Sequence, residues 1–112
     1  MQNNDIKNFD RVSGNLHDAY IKKCEKNNDE IYVLFDGVWG CQIELWFPGN
    51  VDFCIESRNP EINDPYWFGS TLIYENGYFY LVDEEDMKVS DITDAYCHFR
   101  GQHLRCRVIP NE

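Results

Sequence analysis

The chain has 112 residues, of which 43% are hydrophobic and 15% aromatic, and its 20 Asp and Glu outnumber 10 Lys and Arg to leave a net charge of −10. So many Tyr, Phe and Trp side chains repay the entropy of folding when buried, which excludes a disordered chain. The negative charge opposes phosphate backbones and anionic lipid at long range, so the expected partner is a basic protein, with no nucleic acid and no membrane.

In chain order, MQNNDIKNFDRVSGN has no basic start followed by an apolar core, and no apolar run anywhere approaches the ~20 residues of a membrane span. The expected location is cytoplasmic. Cys24, Cys41, Cys54, Cys97 and Cys106 agree with that expectation, being odd in number and without CxxC pairs.

Apolar residues then recur at spacing two. Ile31, Val33 and Phe35 alternate with Tyr32 and Leu34; Ile43, Leu45 and Phe47 alternate with Gln42, Glu44 and Trp46; Val51, Phe53 and Ile55 follow. This period predicts strands at about 17–26, 30–36, 41–47, 51–57, 70–75, 78–83, 95–100 and 103–109. Asn27-Asn28-Asp29 tolerates positive φ, Pro48-Gly49 suits a type II turn, and Asn76-Gly77 signals a type I′ hairpin. The stretch from Arg58 to Tyr66, with two prolines, reads as a surface loop. The polar connection after Asp83 has room for a short helical turn capped by Ser90 or Asp91. The predicted fold is all-β: one domain over 1–112, an antiparallel meander of about eight strands forming a curved sheet, a partly open barrel or a two-layer sandwich.

A two-residue turn at Asn76-Gly77 would oppose Tyr74 to Phe79, Ile73 to Tyr80 and Leu72 to Leu81. Both faces of that pair are apolar, so each needs a cover. The later stretch YCHFRGQHLRCRVIP invites comparison with a metal site. A turn at Gly101-Gln102 would pair Phe99 with Leu104 and Cys97 with Cys106. It would point Cys97, Phe99, Leu104, Cys106 and Val108 inward and His98, Arg100, His103, Arg105 and Arg107 outward. Cysteines and histidines on opposite faces cannot share one tetrahedral ion, so no metal is expected.

No Gly-x-Ser-x-Gly, His-Glu-x-x-His or phosphate loop is present, and the expectation is a non-enzyme without cofactors or catalytic residues. The His17-Asp18 pair reads as a strand-entry turn. Candidate partner-binding residues are the aromatic cluster Tyr66, Trp67 and Phe68, the acidic Glu84, Glu85 and Asp86, and the basic Arg100, His103 and Arg105. Tryptophans such as Trp39 and Trp67 leave a second possibility, a carrier that stacks a small ligand, glycan or peptide in an aromatic-lined barrel mouth.

The segment NLHDAYIKKCEKNNDEIYVLFD, in which Leu16, His17 and Asp18 lead into a first hairpin, resembles the opening of several bacterial families of small acidic β proteins. Some of these are immunity proteins of polymorphic toxin systems. WGC at 39–41, WFGS at 67–70 and RVIP at 107–110 are similar to bacterial proteins of this kind. The resemblance implies an inhibitory role toward a protein partner, such as a basic toxin domain, and supplies no catalytic residue.

Overall fold

Alternation of buried and exposed side chains organises the described residues into eight strands: β1 (Tyr20–Asn27), β2 (Glu30–Val38), β3 (Cys41–Pro48), β4 (Asp52–Cys54), β5 (Thr71–Glu75), β6 (Tyr78–Val82), β7 (His98–Gly101) and β8 (Arg105–Pro110). The computed structural model describes residues 16, 18–38, 41–59, 61 and 65–110, so His17 and Trp39 lie outside the described residues. Two antiparallel four-stranded sheets result, in the orders β1-β2-β3-β8 and β4-β7-β6-β5, and they are not closed into a barrel.

The predicted strands exist, but their order is not a simple meander. β3 pairs with β8 rather than β4, and β4 pairs with β7. The chain leaves the first sheet at Pro48-Gly49-Asn50, where Gly49 and Asn50 both have positive φ. Asp29, in the β1–β2 turn, holds this corner: its carbonyl accepts from Gly49 N at 2.9 Å, and its carboxylate accepts from Asn50 N at 2.8 Å and Val51 N at 3.3 Å. Those backbone amides hold the Asp29 carboxyl below its ordinary pKa.

The chain returns to the first sheet between β7 and β8, which corrects the hairpin expected at Gly101-Gln102. Phe99 faces Phe53 and Leu81 within the second sheet, whereas Cys106 faces Leu45 in the first. A Cβ on Gly101 would come within 2.8 Å of the Phe47 Cβ, so the crossing runs tight against β3. Gln102 N and His103 N donate to the carbonyls of Gly49 and Pro48, locking the two corners together. Inward and outward faces survive the change of partners. Cys97, Phe99, Leu104 and Cys106 are buried and Arg105 and Arg107 exposed; His98 departs from the pattern by being buried.

The expected β5–β6 hairpin is present in the expected register, with positive φ at both Asn76 and Gly77. Its inner face joins the core through Leu72 and Phe79. Its outer face is partly covered by the connection after β6. Thr71 Oγ1 donates to the Glu84 carbonyl at 2.6 Å, and the Cys54 thiol lies 3.5 Å from the Asp94 carbonyl. That connection contains a 3-10 turn at Val89–Asp91, so Ser90 and Asp91 sit within the turn instead of capping it. A second 3-10 turn, Glu56–Arg58, ends the segment predicted as strand after only three strand residues.

Between the sheets, Phe99 of β7 stacks within 17° of Phe47 and 7° of Phe53, and meets Phe35 edge-on. All five cysteines are free thiols. Burial pushes the Cys97 thiol far up and Cys24 up to about 11, as suits thiols that act as small apolar groups. Among the described residues no helix is long and apolar enough to cross a membrane.

Candidate functional site

Burial alternates along Tyr66-Trp67-Phe68, which are exposed, buried and exposed in turn. Trp67 is clamped by its backbone: its N–H donates to Ala19 O at 2.7 Å and its carbonyl accepts from Asp18 N at 2.8 Å. Its indole is fully buried between Phe35, met edge-on at 5.0 Å, and Phe99, stacked within 8°. This corrects the reading of Trp67 as a surface anchor; it is core. Consequently Tyr66 and Phe68 point outward, at 48% and 57% exposure. Tyr66 leans edge-on against Tyr20 at 5.8 Å.

Asp83 joins these aromatics to the acidic turn. Its carboxylate is 5% exposed, accepts from Phe68 N at 2.8 Å and Gly69 N at 3.3 Å through one oxygen, and pairs with Arg58 Nε through the other. Its own N–H donates to the Cys97 carbonyl. A carboxylate withdrawn from water is tolerated when each oxygen is matched by a donor, as here. The next residues therefore emerge beside Phe68. Glu84 accepts from Glu85 N through its side chain and from Thr71 Oγ1 through its carbonyl, and the Glu85 side chain lies against Gly69, where an added Cβ would meet it at 2.6 Å. Asp86 turns the chain with φ +55°.

The outcome is that Glu84 and exposed Phe68 share one cleft, with the Glu85 side chain beside them against Gly69. The cleft, of about 320 Å³, is lined by Phe68, Glu84 and Tyr96 above the Arg58–Asp83 pair. Phe68, Glu84 and Glu85, three of the nine residues singled out in the sequence, thus come together here, with Tyr66 and Asp86 as their exposed chain neighbours. Asp83 and Arg58, which hold them, were not among the candidates; a lone aspartate ending an apolar strand was the available signal, and nothing in the sequence tied it to Arg58.

The basic candidates are dispersed. Arg100 lies on the outer face of the second sheet, with its guanidinium 4.9 Å from the Tyr78 ring centre and Nη2 donating to Asn50 O. His103 is exposed at the β7–β8 corner. Arg105 lies on the outer face of the first sheet over Trp46, which Arg107 also approaches. The expected single basic stripe is therefore split between two sheets by the crossing at Gly101.

The outer face of the first sheet holds a network that the sequence reading did not single out. Glu44, nearly buried, accepts from Tyr32 Oη at 2.5 Å and Arg107 Nε at 2.6 Å. Burial and this hydrogen bond push the Tyr32 phenol up to about 12. Cross-strand alternation placed Tyr32, Glu44 and Trp46 on one face, but only the β3–β8 pairing brings Arg107 to them. Among the described residues no three His, Cys, Asp or Glu side chains gather as a metal site would require. His98 Nδ1 instead lies 2.9 Å from the Tyr96 carbonyl.

Comparison with protein-family models, curated proteins and solved structures finds no match for this chain.

Proposed function

We propose that the domain is a non-enzymatic protein-binding module that captures a basic protein, and that it acts as an immunity-type inhibitor of a basic toxin domain. The observation that carries this reading is the surface built around Asp83, where exposed Phe68 shares a cleft with Glu84, and Glu85 lies beside it against Gly69. Aromatic anchors bordered by like charges combine the two needs of such a surface: desolvated contact area for a slow off-rate, and a field that steers an oppositely charged partner. The resemblance of the 15–36 segment to immunity-type proteins favours a toxin as that partner. A carrier role, in a form altered from the barrel mouth, draws support from the cleft beside Phe68 and Tyr96.

The test is co-expression with any adjacent toxin gene, or pull-down from the source organism, followed by binding kinetics. Replacing Glu84, Glu85 and Asp86 by Ser lowers the on-rate and its salt dependence, since exposed charges are screened over ~8 Å at physiological ionic strength. Phe68→Ala mainly raises the off-rate. If the only retained molecule is a small metabolite or glycan, indifferent to salt and released by Phe68→Ala, the inhibitor reading fails and the carrier reading replaces it.

A further inference from the structure

Each sheet has two edge strands, and an unprotected edge is a template for pairing with another chain. Three of the four are guarded. β1 carries Lys22, Lys23, Glu25 and Lys26 and a register shift between Ile21 and Lys23; β8 presents exposed Arg105 and Arg107 and ends at Pro110; β4 is three residues long. β5, reading TLIYE, has no lysine, arginine, proline or bulge.

Its free backbone groups follow from the hairpin. A two-residue turn makes Glu75 and Tyr78 a hydrogen-bonded pair, so Ile73 and Thr71 also direct their N–H and C=O groups toward β6. Leu72 and Tyr74 therefore direct theirs away from β6, to the edge of the sheet, where no strand of the described residues pairs. Tyr74 is 61% exposed, lying against Phe79 on the core-facing side at 4.6 Å between ring centres, beyond the covered part of the sandwich.

We propose that β5 pairs antiparallel with β5 of a second copy of this chain, about a two-fold axis through Ile73. This register sets Leu72 opposite Tyr74 of the second copy, and the reverse, so all the outward-facing groups meet as hydrogen-bonded pairs; a two-residue shift in either direction leaves some unmet. Thr71 then faces Glu75 of the second copy, and no like charges are opposed. On the core-facing side the exposed Tyr74 ring lands on Leu72 of the other copy, continuing the inner surface of one sheet into the next. The apolar Leu72–Tyr74 pair, repeated on both sides of the axis with Tyr74 exposed, favours a second copy, because an isologous interface must be self-complementary. One short strand pair falls at or below the ~1,000 Å² of stable complexes, so the dimer is a concentration-dependent equilibrium.

Sedimentation of the reduced 112-residue chain from low to high micromolar concentration reads this directly. The expected result is reversible dimerisation, weakened about tenfold or more by Ile73→Lys, which opposes two ammonium groups at the axis. Tyr74→Pro, which removes an outward N–H and spares the bonds to β6, should have the same effect with near-ultraviolet circular dichroism retained. A measurement without substitution stands beside these: amide exchange at Leu72 and Tyr74 slows as concentration rises, while exchange at Ile73 does not depend on it. A chain that stays monomeric throughout, or a dimer that persists in both variants without concentration-dependent protection at Leu72 and Tyr74, overturns the proposal.

Discussion

Removing the Asp83 carboxylate should destabilise the domain more than any other change at the acidic turn. In the folded protein this group is nearly buried and accepts from Phe68 N, Gly69 N and Arg58 Nε. The Arg58 side chain is itself only 21% exposed, so the change takes a charged acceptor from a partly desolvated guanidinium. A charged hydrogen bond contributes about 1.5–3 kcal/mol, and stranding one member of a buried pair costs about 3–5 kcal/mol. Discounting for the water and other contacts that Arg58 keeps, Asp83→Ala should cost about 2–3 kcal/mol, mostly from the two amides and the lost charged hydrogen bond, and lower the melting midpoint by roughly 10–15 °C. Asp83→Asn keeps an oxygen for the two amides but sets an amide donor against Arg58, and should cost about half as much. Urea unfolding followed by tryptophan fluorescence gives both values, and a cycle with Arg58→Met isolates their interaction. A loss under about 0.5 kcal/mol for Asp83→Ala, or single-mutant effects that simply add, would refute the view that this pair holds the patch together.

Three further outcomes follow from backbone geometry. Gly77→Val should destabilise by roughly 1–3 kcal/mol from strain alone, because nothing lies within 4 Å of the added Cβ while φ is +82°; an unchanged denaturation midpoint would deny the tight turn. Gly101→Ala should also cost about 1–3 kcal/mol, but through collision with the Cβ and backbone of Phe47; Phe47→Gly, which removes that Cβ, should then show strong non-additivity with it, whereas Phe47→Ala, which keeps it, should not relieve the collision. Asp29→Ala should lower stability at neutral pH and make less difference in acid. The folded carboxyl titrates below its ordinary 3.8, so its contribution is present above that value and fades as pH falls through the lower folded one; unfolding midpoints of both chains across pH 2–7 measure it.

Local signals made much of this fold legible, and long-range ones did not. Asn76-Gly77 defined its hairpin down to the residue pairs, because a two-residue turn fixes register. The inward set Cys97, Phe99, Leu104 and Cys106 was readable because alternation is a property of one strand. The partners of those strands were not, since a hairpin and a crossing between sheets share the same alternation. What decides between them is the close approach of Gly101 to Phe47, a contact between residues far apart in sequence. At the candidate site, the acidic turn and the aromatic cluster were each visible as composition. Their adjacency depends on Asp83 reaching the amides of Phe68 and Gly69, and the alternation that buries Trp67 was obscured by the aromatic residues on either side.

Phe99 touches Phe35, Phe47, Phe53 and Trp67, drawn from both sheets and from the segment that leads to β5. Sequence drift at any one of these rings therefore has to be answered at several others, in both layers at once. The acidic turn faces no such restraint, because Thr71 and Asp83 fasten it mainly through the main chain. Glu84, Glu85 and Phe68 can therefore be exchanged while the interior stays nearly fixed, whereas Asp86, at φ +55°, admits few residues besides Asp, Asn and Gly.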